Sequence, residues 1–212
     1  MDNMTDVIAE VEIIQNNDLF SWEEIANLLH DAFQERLKQG LQFTCSFLTA
    51  KELEQKSNNC IVLIAKNKIS NQLLGTVFYE RKSSQRAYHS NLAVNPTSKH
   101  LGIATKLFSA FKELASINGC EHIISDTAQQ ATSSVLWHKK NGFIPISLRS
   151  YGSTNYYSIV FRNQLKHHWF WSNKLFCKIH FTISSILCHM YRHKDGTLTT
   201  LGKLIEIFRI SE

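Results

Sequence analysis

The stretch Asn91-Leu92-Ala93-Val94-Asn95-Pro96-Thr97-Ser98-Lys99-His100-Leu101-Gly102-Ile103-Ala104-Thr105-Lys106-Leu107 constrains this chain more than any other. A β-prone run ends at Val94, a polar loop follows around Pro96, and a helical period opens at Gly102. The first turn of a helix leaves backbone N–H groups unpaired and carries the positive end of the helix dipole. Such a joint can receive a pyrophosphate directly. Gly102 and Ala104 are small enough for the backbone to approach an anion closely, and Lys99 and His100 add positive charge. The stretch lacks the Gly-Lys-Ser/Thr of a phosphate-binding P-loop and the three glycines of a dinucleotide fingerprint. Spacing alone leaves two readings open, an anion site or an ordinary strand–loop–helix joint.

The elements around this joint follow from periodicity and caps. Val7, Ala9, Val11 and Ile13 alternate with polar residues and predict a strand over 7–14. Ser21 with Glu24, and Thr49 with Glu52, have capping-box spacing and predict helices over 21–40 and 49–56. The β-rich runs 60–66 and 72–80, joined by a polar turn, predict a hairpin, and 87–94 a further strand. Helices are expected over 102–118 and 131–141, each ended by a glycine, with strands over 121–126, 143–148 and 155–161. Strands alternate with helices only in the second half. The expected class is therefore α/β, in the form of an α+β mixed sheet with helices on both faces, and not a barrel or an all-parallel sheet.

The residues at the joint resemble the cofactor motif of the GNAT acetyltransferase superfamily: Arg or Gln, two residues, Gly, one residue, then Gly or Ala. Here these positions are Lys99, Gly102 and Ala104, with Lys99 in place of the usual Arg or Gln. Leu92-Ala93-Val94 resembles the end of the family's fourth strand, an apolar triplet before Asn/Asp-Pro. A second run, Gln130, Ser133, Leu136-Trp137 and Gly142-Phe143, is similar to the family's later motif. The resemblance spans residues 7–162 and implies a GNAT-like acyl-CoA acyltransferase fold with acetyl-CoA as co-substrate. It further implies that backbone N–H groups at Leu92, Ala93 and Val94 hold the acyl and pantetheine portion. The loop Lys99, His100, Leu101, Gly102, Ile103, Ala104 and Thr105 would then hold the pyrophosphate, and Gln130, Ser133 and Trp137 would lie at the coenzyme. The implied reaction is direct attack of an amine on the thioester, with a base, an acid and an oxyanion donor near Val94.

The sequence departs from the family at the chemistry. Trp137 stands where many members have a Tyr acid, and indole is no useful acid near neutral pH. Ser125, beside Asp126, stands where a Glu base is common. The remaining catalytic candidates are His89, Asn91, Ser125, His138 and Tyr156, with Tyr151 nearby in the last strands. Strand alternation would put His89, Asn91 and Ala93 on one face. The acceptor region would be lined by Arg36, Lys38, Gln39, Gln42, Thr44 and Thr49, with Phe43 and Phe47. That lining suits a polar small molecule such as an amino sugar, or a peptide amine nearly as well.

The resemblance divides the chain into a transferase domain, 1–164, and an extension, 165–212. The extension carries seven Lys or Arg against three acids, and is rich in His and aromatic residues. Residues 174–191 have a helical period, with Leu175, Ile179, Ile183, Ile186 or Leu187, and Met190 on one face. Packing on the core or on a second subunit, a membrane surface, zinc ligation through Cys177, His180, Cys188, His189 and His193, and nucleic-acid binding compete for it. We adopt the first, which admits a homodimer. Membrane proximity leads the functional readings, and neither a metal nor a nucleic acid is expected. The odd count of five cysteines without CxxC spacing, the polar acidic N-terminus and the absence of an 18-residue apolar run indicate a cytoplasmic protein without a spanning helix. The whole pattern is similar to GNAT proteins associated with bacterial surface-polysaccharide synthesis. That would imply an amino-sugar acceptor near the inner membrane face. The net charge of +5 suits an anionic ligand but decides nothing alone.

Overall fold

The computed structural model describes residues 10–210, so Val7 and Ala9 of the expected first strand lie outside the described residues. The chain forms two compact units. One comprises the described residues up to Gln39 and Phe43–Ile123; the other comprises Gly40–Gln42 and the described residues from Ile124 onward. Seven strands make one sheet in the order β1-β2-β3-β4-β5-β7-β6.

In the first unit, β1 (Val11–Gln15) leads to α1 (Trp22–Lys38). Both halves of the capping box at the start of α1 are present. The Ser21 hydroxyl accepts from the Glu24 N–H at 3.3 Å, and the Glu24 carboxylate accepts from the Ser21 N–H at 2.8 Å. Thr49 and Glu52 cap α2 (Ala50–Ser57) in the same way. Strands β2 (Cys60–Asn67), β3 (Leu73–Arg81) and β4 (Arg86–Val94) continue from β1 as an antiparallel meander. α3 (Ile103–Ile117) follows the joint. α1 buries Ile25 and Leu29 against Val62, Ile64, Phe78 and Ala93 on one face of this meander. On the other face α3 sets Phe108 and Phe111 around His89. Gly75 on β3 permits this approach: a Cβ there would meet the Ala93 carbonyl at 2.8 Å and the Ile103 and Leu107 side chains at 3.2 and 3.1 Å.

Strand β4 is not regular. Thr76 pairs with Ala93 but Phe78 pairs with Ser90, so Asn91 and Leu92 together oppose one residue of β3. This is a β-bulge, and Asn91 adopts the left-handed conformation at φ 50°, which Asn tolerates better than most residues. The extra residue reverses the alternation beyond it. His89 and Ala93 therefore lie on opposite faces, His89 among the α3 aromatics and Ala93 in the α1 core. The expectation of one shared face for His89, Asn91 and Ala93 is corrected accordingly.

In the second unit β5 (His122–Ala128), which starts at the border, leads to α4 (Thr132–Lys140) and the antiparallel pair β6 (Ile144–Ser150) and β7 (Tyr157–Gln164). α5 (Lys174–Tyr191) lies along β6, the last strand of the sheet. Its polar side chains meet the backbone of that edge. The His180 Nδ1–H donates to the Ile146 carbonyl at 2.6 Å, and the Ser184 hydroxyl accepts from the Leu148 N–H at 3.3 Å. An open sheet edge carries unpaired N–H and C=O groups, and covering it with a helix is one way to satisfy them. α6 (Thr200–Ile210), which the sequence reading did not anticipate, follows a short turn and packs on α5.

Candidate functional site

The joint between β4 and α3 is built for close approach from outside. Asn95 caps the short turn Pro96–Ser98, its side-chain oxygen accepting from the Thr97 N–H at 3.0 Å and the Thr97 hydroxyl at 2.8 Å. His100 and Gly102 are both left-handed, at φ 69° and 71°, which curls the loop before α3 begins. Gly102 is the N-cap residue and no side chain caps α3. A Cβ added at Gly102 would find nothing within 4 Å. The N-cap is thus open on its Cβ side, at the positive end of a 15-residue helix that no side chain caps.

Within the joint the side chains divide. Lys99, His100, Gly102 and Thr105 are exposed, Leu92, Val94, Leu101 and Ala104 are half-buried, and Ala93 and Ile103 belong to the core. Ala93 and Ile103 can serve a ligand only through their backbone. Lys99 pairs with Glu35 of α1 at 3.0 Å across the exposed surface. The Lys99 hydrogen bond and charge hold the Glu35 carboxyl below its usual range. The residues fit an anion of pyrophosphate type. No side chain caps the helix start, Gly102 carries no side chain there, and the nearby Lys99 makes only an exposed pairing with Glu35.

On α4, Gln130 just before the helix and Ser133 are exposed, while Trp137 is half-buried, its ring 6.3 Å from Phe143. The neighbouring His138 points inward and is 4% exposed. Its ring stacks on Phe161 at 4.6 Å. Nδ1 lies 2.7 Å from the Ser134 carbonyl, which can only accept, so Nδ1 carries the proton. Nε2 then accepts from the Ser125 hydroxyl at 3.0 Å. Burial pushes the imidazole pKa down to about 4, opposed by the Ser134 hydrogen bond. The pair joins two of the candidates named from the sequence in one contact, yet both are buried.

His89 is likewise buried, edge-on to Phe108 and Phe111 at 5.5 and 5.0 Å. Tyr156 is buried as well. On β5 the alternation turns Asp126 away from the Ser125 face, and Asp126 is half-buried. Burial, and then the Asp126 carboxylate, raise the Tyr151 phenol above its ordinary value, with Arg149 opposing. The Asp126–Tyr151 coupling was not foreseen as a pair, because Asp126 sits on β5 and Tyr151 follows the end of β6, far apart in sequence. Around the expected acceptor region, Asn155 ties two segments together. It accepts from the Gln42 N–H at 3.1 Å and donates to the Gly40 carbonyl at 2.8 Å. Thr49 is committed to capping α2, and Phe43 packs on Phe33 at 5.2 Å. Phe47 is exposed. Cys45 is buried, which pushes its thiol up to about 12 and removes it as a nucleophile.

Residues 22–143 match the sequence model of the acetyltransferase (GNAT) family. No curated protein matches the chain at a significant level. Among solved structures, the chain is similar to a GNAT family acetyltransferase from Elizabethkingia anophelis with acetyl-CoA bound. That match has a TM-score of 0.58 and 14% identity, and covers 74% of this chain and 99% of that one. The yncA protein of Salmonella typhimurium, solved with its cofactor acetyl-CoA, aligns with a TM-score of 0.57 and 14% identity over 76% of this chain and 96% of its own. Ard1 from Thermoplasma volcanium gives 0.58 and 13% over 74% and 99%. At these identities the likeness establishes the fold.

Proposed function

Because the chain belongs to the GNAT acetyltransferase family, we propose that it transfers the acetyl group of acetyl-CoA to an amine by direct attack. Acetyl-CoA as co-substrate follows from the family. The amine, with an amino sugar as the first choice of acceptor, is our reading. The observation that carries it is the uncapped N-terminus of α3, with left-handed Gly102 opening onto empty space. The amides from Gly102 to Thr105 would take the pyrophosphate, and Lys99 would exchange Glu35 for a phosphate oxygen. The Val94 N–H, at the end of β4, would donate to the thioester oxygen as negative charge develops there. Gln130, Ser133 and Trp137 are assigned to the coenzyme as walls and hydrogen-bonding groups.

For proton handling we assign Asp126 and Tyr151 in preference to the candidates named first. His138 at a pKa of about 4 is too weak a base near neutral pH and is enclosed. His89 is enclosed by aromatic rings. Asp126 is partly exposed, so its carboxylate can take, through water, the proton that the amine nitrogen sheds as it bonds to the thioester carbon. Tyr151, its phenol raised, keeps its proton and can give it to the leaving thiolate. Arg36, Lys38, Gln39 and Gln42 supply the polar character expected of an acceptor site. We take residues 1–164 as the transferase domain, acting in the cytoplasm.

The test is a free-thiol release assay with acetyl-CoA against pooled amino sugars, nucleotide amino sugars, polyamines, amino acids and short peptides. Release with one pool identifies the acceptor class. Silence with every pool, alongside calorimetric binding of the coenzyme, would point to a binding module or to an acceptor outside these pools. Asp126→Asn should lower kcat about 100-fold or more while leaving coenzyme affinity unchanged. An unaltered kcat would remove Asp126 from the mechanism.

A further inference from the structure

We propose that the outer face of α5, with the start of α6 and Trp169, docks on an anionic bilayer surface. The argument begins with the direction in which α5 is turned. A surface helix ordinarily buries its apolar stripe and presents its polar one. Here much of the order is reversed. Beside Phe181, the small residues Cys177, Ser184, Ser185 and Cys188 are the less exposed ones, and His180 and Ser184 hydrogen-bond the edge of β6. Leu175, Ile179, Ile183, Ile186, Leu187 and Met190 form the opposite stripe and are 48 to 62% exposed. The reversal has a physical cause, since the sheet edge needs polar partners and the helix must then show its apolar side to the outside.

The stripe does not end with α5. Leu201, Leu204 and Ile205 of α6 continue it. Between the two helices lies a trough of about 620 Å³ walled by Leu148, Ile183, Leu187, Met190, Leu201 and Ile205. Nine large apolar side chains of the two helices are thus 39 to 62% exposed, and a large exposed apolar patch marks a site of protein or membrane contact.

Charge selects the occupant. α5 contains no Asp or Glu, and Lys174, Lys178 and Lys203 stand exposed around the stripe. Across 165–212 there are seven Lys or Arg against three acids. A second copy would bring the same positive rim against itself, whereas anionic lipid headgroups complement it. Trp169 is 69% exposed and packs edge-on to Phe176 at the start of the helix, which is the placement of an interfacial aromatic anchor. No helix among the described residues is long and apolar enough to cross a membrane, so the contact is in the interfacial plane.

The test is flotation of the full chain with phosphatidylcholine vesicles, with and without phosphatidylglycerol, and light scattering of the free protein. The expected result is a monomer that binds the anionic vesicles at least about tenfold more tightly than the neutral ones, with the preference lost in high salt. Ile183→Glu with Leu187→Glu should abolish binding. Lys174→Gln with Lys178→Gln should weaken it about fivefold or more. All four positions are exposed, and unchanged thermal unfolding of the variants would verify that they fold. A dimer that ignores both vesicle types and separates in the Ile183→Glu, Leu187→Glu variant would overturn the proposal and give the face to a second copy. A monomer that floats with neither vesicle type would overturn it as well. The proposal stands or falls independently of the acetyltransferase reading, because neither measurement involves coenzyme or acceptor.

Discussion

His138 gains two hydrogen bonds and an aromatic enclosure by remaining neutral, and that arrangement ties the fold to pH. Its folded pKa of about 4 lies below the ordinary value of 6.5, so the unfolded chain binds the proton more readily. Stability is then complete above pH 6.5 and is lost as pH falls from there towards 4, by roughly 3 kcal/mol in total. Melting temperatures of the wild type and of His138→Gln, taken between these pH values, should converge at the acid end. Parallel curves would show that other groups set the acid limit. Asn91 makes a second residue-scale test. A β-branched side chain at φ 50° costs about 1 to 2 kcal/mol, so Asn91→Val should lower the melting temperature by several degrees while Asn91→Gly leaves it nearly unchanged. At this scale the joint itself, a polar loop after β4 with Gly102 opening α3, was legible because its signals are local and consecutive. The Ser125–His138 contact was not, because it depends on how α4 folds back over β5, a packing that neither residue type announces.

Caps and periods were readable at the scale of elements. Ser21 with Glu24 and Thr49 with Glu52 opened helices where their spacing placed them, since a capping box satisfies its donors within four residues. The bulge in β4 was hidden, because it exists only relative to the register of β3. The period of α5 was legible and its orientation was not. The helix pattern fixes which residues share a stripe, while the unpaired backbone of the β6 edge decides which stripe turns inward. Gly75 lies between these cases, a strand glycine whose purpose appears only where α3 crosses it. Gly75→Ala should destabilise by about 1 to 3 kcal/mol, since the Ala93 carbonyl at 2.8 Å is backbone and must move with its strand. Chemical denaturation should show a lower midpoint with an unchanged slope. A neutral effect would mean that α3 can lift off the sheet without loss.

For the whole molecule, coenzyme binding and stability are one measurement. A ligand that binds only the native state adds about 2.7 kcal/mol at a hundred times its dissociation constant. For a chain of 212 residues that corresponds to a rise of roughly 5 to 11 °C in melting temperature. Gly102→Glu should keep its own melting temperature within a few degrees, because the added side chain meets nothing within 4 Å and only the left-handed backbone is strained. It should nevertheless show no rise with acetyl-CoA, its carboxylate occupying the place of the pyrophosphate and lowering affinity by about 100-fold or more. A full rise in Gly102→Glu would remove the α3 N-terminus from the coenzyme site. The net charge of +5 adds a kinetic signature. A positively charged protein attracts a polyanionic ligand over a distance that salt shortens, so the association rate should fall as ionic strength increases, while dissociation, governed by short-range amide contacts, should change much less.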